Sequence, residues 1–137
     1  MAMLQASKTY QQDYGFLRRV LQANSFFSTL SGGLFILASG PVAAFLGLDA
    51  SGIILGTGVL LLLFAVDVFY VATRETLNRT FVAGIIAADL LWVAGSALLL
   101  LTDWVAWTNA GFWAVVITAD LVATFAALQW FGLRRGR

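Results

Sequence analysis

With 137 residues, 61% of them hydrophobic and 11% charged, the chain carries more apolar surface than a soluble domain of this size can bury, and its mean hydropathy is +0.89. Eight basic and seven acidic residues leave a net charge of +1, which supplies no field for nucleic acid. The absence of histidine and cysteine removes disulfides, thiol and Ser-His-Asp catalysis, iron–sulfur clusters and almost every zinc or copper site, so the chain reads as non-enzymatic, with no metal or cofactor expected.

In chain order, Met3, Ala6, Tyr10, Tyr14 and Leu17 recur at three- and four-residue steps. That pattern suits a short helix lying on the inner membrane surface, or a partly ordered polar tail. Four apolar segments follow, Val20–Gly40, Gly52–Thr73, Phe81–Leu101 and Ala110–Leu133. Each meets the length of about 20 residues needed to cross a hydrocarbon core. Arg18-Arg19 ahead of the first segment has the outline of a signal peptide, but the segment is read as a retained span.

The breaks carry loop chemistry: Gly40-Pro41 with Asp49-Ala50-Ser51-Gly52, then Arg74 to Arg79, then Thr102-Asp103 through Thr108-Asn109. Connections this short favour antiparallel neighbours, so the sequence predicts an all-α membrane protein, a single-domain four-transmembrane up-down-up-down helical bundle.

Orientation follows from the basic residues. Lys8, Arg18 and Arg19 precede the first segment, Arg74 and Arg79 lie in the second loop, and Arg134, Arg135 and Arg137 end the chain. The first and third loops contain no Lys or Arg, only Asp49 and Asp103. The positive-inside rule then puts both termini in the cytoplasm and the protein in the inner membrane, and the one-sided charge argues against a dual-topology exporter. Trp104, Trp107 and Phe112 at one boundary, with Tyr14, Phe16, Tyr70, Trp130 and Phe131 at the other, read as interfacial anchors.

A weak repeat runs through the spans. Aligning Asn24 with Asp89 superposes Ala23 on Ala88, Phe27 on Trp92 and Ser31 on Ser96, while Gly58 to Asp67 and Gly111 to Asp120 have equal spacing. Two tandem helical hairpins related by an axis along the membrane normal would give this pattern.

Asn24, Asp67, Asp89 and Asp120 break the apolar runs. An Asp near a span centre costs about 2.5–3.5 kcal/mol on insertion scales, so each should face the bundle interior or water. At a rise of about 1.5 Å per residue, Asn24 lies about 8 Å beyond Arg19, Asp67 about 10 Å from Arg74, Asp89 about 15 Å from Arg79 and Asp120 about 21 Å from Arg134, so no flat ring is expected. Helical spacing puts Ser28 and Ser31 beside Asn24, Trp92 and Ser96 beside Asp89, Tyr70 beside Asp67, and Trp113 and Thr124 beside Asp120, as groups able to satisfy a buried side chain. Three readings follow: polar contacts between helices, a proton- or cation-attracting cavity, and a pocket for a lipid, quinone or pigment. The candidate binding residues are Asn24, Asp67, Asp89, Trp92 and Asp120. Small-xxx-small pairs, Ser28/Gly32, Gly52/Gly56 and Gly84/Ala88, with an Ala119/Ala123/Ala127 ladder, predict close helix packing within the bundle.

Asn24-Ser25-Phe26-Phe27-Ser28 leading to Ser31-Gly32-Gly33, Asp89-Leu90-Leu91-Trp92 leading to Gly95-Ser96, and the ending Leu128-Gln129-Trp130-Phe131-Gly132-Leu133-Arg134-Arg135 resemble small uncharacterised four-helix bacterial membrane proteins, broadly DoxX-like. The resemblance implies a fold more than an activity, and Asp67 and Asp120 lie outside it. The function expected is a non-enzymatic inner-membrane protein, an accessory subunit of a membrane complex or a binder of a small hydrophobic ligand. The rival is a proton- or cation-coupled small transporter. Expected partners are the lipid bilayer, a membrane protein or a second copy, and a hydrophobic ligand, with no nucleic acid.

Overall fold

The computed structural model describes residues 14–135, and among them all regular structure is α-helical. Four helices are long and apolar enough to cross a membrane: α1 (Gly15–Leu37), α3 (Ser51–Thr73), α4 (Arg79–Leu101) and α5 (Asn109–Arg135). A short helix, α2 (Ser39–Leu46), joins the first two. Among the described residues the fold is that of an all-α membrane protein with four spans.

The N-terminal helical pattern as far as Tyr10 lies outside the described residues. Its last two members, Tyr14 and Leu17, are 1% and 0% exposed and sit in the protein core, not on a membrane surface. Tyr14 is therefore no interfacial anchor. The first span starts at Gly15, so Arg18 and Arg19 belong to its opening turns and do not precede it.

Residues 39–46, expected as part of a span end and a loop, form α2. Pro41 explains both the break and the new helix. It has no N–H for the Leu37 carbonyl, so the ladder of α1 cannot continue through it, yet in the opening turn of α2 no such donor is needed. Ala38 carries the break with φ −131° and ψ 41°. Gly47 ends α2 in the left-handed region at φ 94°, donating to the Ala43 carbonyl at 3.0 Å while Leu48 donates to the same oxygen at 2.8 Å.

Two hairpins make the bundle. α1 lies along α3 and α4 lies along α5, while α1 and α5 join the hairpins; α3 and α4, though consecutive, barely touch. The expectation that every consecutive pair of spans would be neighbours fails there. The residues α4 turns inward, Val82, Ile85, Ile86 and Asp89, are buried, whereas Gly84 and Ala88 are too small to fill the space beside α3.

α1 and α3 approach closely at a pair of glycines. A Cβ on Gly32 would lie 2.9 Å from the Gly58 carbonyl oxygen, and one on Gly58 the same distance from that of Gly32. Gly52, Gly56 and Gly84, also expected in tight seams, meet open space. Small residues permit close packing but do not choose which face packs.

Arginines close both hairpins at one end. Arg18, in the first turns of α1, donates to the carbonyls of Ala72 at 2.8 Å, Arg74 at 2.5 Å and Glu75 at 3.0 Å, the C-terminus of α3. Arg79, opening α4, donates to the Leu133 carbonyl at 2.8 Å, near the C-terminus of α5, and to the Tyr14 hydroxyl at 2.6 Å. Each guanidinium satisfies carbonyls that a helix end leaves without partners and opposes its dipole. These contacts gather the starts of α1 and α4 with the ends of α3 and α5, so the four spans alternate in direction.

The opposite end is tied by Thr108. Its N–H donates to the Leu46 carbonyl at 3.2 Å and its hydroxyl to the Phe45 carbonyl, while that hydroxyl caps α5 by accepting from Gly111 N–H at 2.9 Å.

Candidate functional site: a sealed polar network and an open seam

Asn24 and Asp89 meet across the bundle. Asn24 is nine residues into α1 and Asp89 ten beyond the start of α4, so similar depths bring them together despite their different distances from the flanking arginines. The Asn24 amide donates to Asp89 Oδ2 at 3.0 Å and to Gln129 Oε1 at 2.8 Å. Gln129 Nε2 donates to the same Asp89 oxygen at 2.9 Å. Ser28, one turn further along α1, donates to Asn24 Oδ1 at 3.4 Å.

Three spans therefore meet in one triangle. Asn24, Asp89 and Gln129 are 2%, 4% and 0% exposed. Ser25, buried beside them, donates to the Ala65 carbonyl of α3 at 2.8 Å, which ties in the fourth span. Desolvated side chains of this kind are tolerated because each finds partners on another helix.

Gln129 was not among the candidate residues. It lies inside the last apolar segment and enters the sequence reading only within the ending Leu128 to Arg135. Its face carries the available signal: Val122, Ala126, Gln129 and Gly132 recur at three- and four-residue steps, and all are buried. Trp92 and Ser96, expected beside Asp89, are only half-buried, and the carboxyl is satisfied by amides from α1 and α5 instead.

Asp67 and Asp120 do not join the network. Both are exposed, against the expectation that each acid would face the bundle interior. Asp120 sits on α5 one turn before Thr124, whose hydroxyl donates to the Asp120 backbone carbonyl at 2.9 Å. Asp67 lines the seam where α3 and α4 part.

That seam is a crevice of about 410 Å³. α3 contributes Phe64 and Asp67 to it, and α4 contributes Thr80, Phe81 and Ile85 over a floor of Gly84 and Ala88. The crevice opens sideways between the helices, and Phe81 and Thr80 at its edge are exposed. The three intramembrane acids therefore occupy three settings: Asp89 sealed, Asp67 in a lateral crevice and Asp120 on an open helix face. No protein-family model matches the chain, and no curated protein or solved structure is significantly similar to it.

Proposed function

We propose that the chain is a non-enzymatic inner-membrane protein that serves as an accessory subunit of a membrane complex or holds a small hydrophobic ligand. One observation carries this reading: the polar centre is closed on itself, while Asp67 and Asp120 point outward from apolar spans. A carboxyl on a lipid-facing surface is costly, and a neighbouring molecule that satisfies it removes the cost. The DoxX-like resemblance belongs to the same proposal, because its three segments each supply one member of the Asn24–Asp89–Gln129 triangle.

Orientation is part of the proposal. Arg18, Arg74, Arg79, Arg134 and Arg135 fall at the end of the bundle where α3 and α5 finish, which supports cytoplasmic termini. Coupled transport of protons or cations through Asp67, Asp89 and Asp120 draws no support from this geometry, since the three carboxyls share no cavity.

Native mass spectrometry after gentle extraction tests the reading. A retained membrane-protein partner or apolar small molecule is expected. A bare monomer under conditions that preserve other membrane complexes overturns it.

A further inference from the structure

We propose that the seam between α3 and α4 binds a lipophilic ammonium ion, an apolar body carrying one protonated amine, with the cation against Asp67. This deepens the reading of the chain as the holder of a small hydrophobic ligand and rests on it.

The chemistry of the lining selects the ligand. Asp67 is the one ionisable side chain of the crevice, and its carboxyl offers acceptor oxygens. Phe64 and Phe81 supply aromatic rings, whose negative faces attract cations, and Thr80 adds a hydroxyl able to accept. Ile85 and Ala88 supply apolar wall. No lining group is a cation that would welcome an anionic ligand.

The two arginines that flank the seam in sequence, Arg74 and Arg79, are engaged elsewhere. Arg79 is held by Tyr14 and the Leu133 carbonyl, and Arg74 lies over the Tyr70 ring at 4.2 Å. Among the described residues none forms an ion pair with Asp67. A carboxyl in an apolar, laterally open crevice lacks a counter-charge that an ammonium supplies.

Size points the same way. The crevice, about 410 Å³, is a groove open along one side. Its α4 wall runs from Thr80 to Ala88, about 12 Å at the helical rise, which suits a compact molecule better than a second transmembrane helix. Gly84 keeps the floor open, with no heavy atom within 4 Å of where its Cβ would lie.

The test is calorimetric titration of the full chain in lipid nanodiscs with 4-phenylbutylammonium and with its neutral counterpart 4-phenylbutanol, subtracting partition into empty nanodiscs. Saturable binding of the ammonium alone is expected. It should weaken about tenfold or more in Asp67→Asn, which removes the charge, and in Gly84→Phe, which fills the crevice, while Asp120→Asn, which removes an acid outside the crevice, binds as the parent does. Absence of saturable binding to the parent, equal binding of the alcohol, or unchanged binding in Asp67→Asn overturns the assignment. An uncharged apolar ligand retained by both the parent and Asp67→Asn in native mass spectrometry also overturns it, while leaving the broader ligand-holding reading in place.

Discussion

Gln129 donates from Nε2 to Asp89 Oδ2 at 2.9 Å, and that oxygen also receives the Asn24 amide at 3.0 Å. Because Asn24 also donates to Gln129, removing one corner leaves the other two short of a partner. A double-mutant cycle with Gln129→Leu and Asp89→Leu should give a coupling between about 0.6 kcal/mol, the average for hydrogen bonds between membrane helices, and about 1.7 kcal/mol, the largest such value. Asp89→Asn keeps an acceptor oxygen and the size, so it should destabilise less than Asp89→Leu. Reversible unfolding in mixed micelles measures both, and a coupling near zero would mean the triangle contributes no stability.

The span number, their alternation and the clustering of arginines at one end were legible because each rests on a local rule: hydrophobic length, short loops and one-sided charge. Asn24 and Asp89 were legible too, as polar residues within apolar runs. Their pairing was not, since depth was counted from the flanking arginines whereas α1 begins at Gly15, before Arg18 and Arg19. Gln129 was named only within the ending Leu128 to Arg135; the inward face that it shares with Val122, Ala126 and Gly132 is the signal that went unused. The outward settings of Asp67 and Asp120 depend on helix rotation, and these spans are apolar nearly all round, so periodicity leaves rotation undetermined.

Arg18 holds three carbonyls, one in the last turn of α3 and two just beyond it, through one guanidinium. Arg18→Ala leaves them without that donor and should cost about 1–3 kcal/mol, with faster hydrogen exchange confined to the last turns of α3. Arg18→Lys should recover only part of the loss, because an ammonium keeps the charge but not the planar fork that spans several acceptors. Full recovery by Lys would show that charge alone matters.

Gly32 and Gly56 distinguish a packed small residue from an exposed one. A side chain at Gly32 meets the Gly58 backbone at 2.9 Å, so Gly32→Leu should force α1 from α3 and cost about 1–3 kcal/mol or more. Gly56 faces open space, and Gly56→Leu should stay within about 0.5 kcal/mol of the parent. Equal effects at the two positions would contradict the packing of α1 on α3.

Gly47 joins two constraints at one residue. Its φ of 94° disfavours any side chain, and an added Cβ would run into the Ala106 carbonyl oxygen. Gly47→Ala should therefore lower stability by about 1–3 kcal/mol and loosen the tie between α2 and the loop before α5. Hydrogen exchange at Thr108, whose N–H donates to Leu46, reports that loosening directly.

Topology is testable with unusual economy because the chain has no cysteine of its own. Asp49→Cys and Asp103→Cys place a single thiol at exposed positions at one end of the bundle, and Thr76→Cys places one at the arginine-rich end. With cytoplasmic termini, a membrane-impermeant maleimide added to intact cells should label the first two and spare the third until the membrane is opened. The two loops at the Asp49 and Asp103 end hold no Lys or Arg, so no basic residue opposes this orientation. Labelling of Thr76→Cys alone in intact cells would reverse the orientation and place Arg74 and Arg79 outside. It would leave the bundle, its sealed triangle and the Asp67 crevice unaltered, because none of these depends on which side faces the cytoplasm.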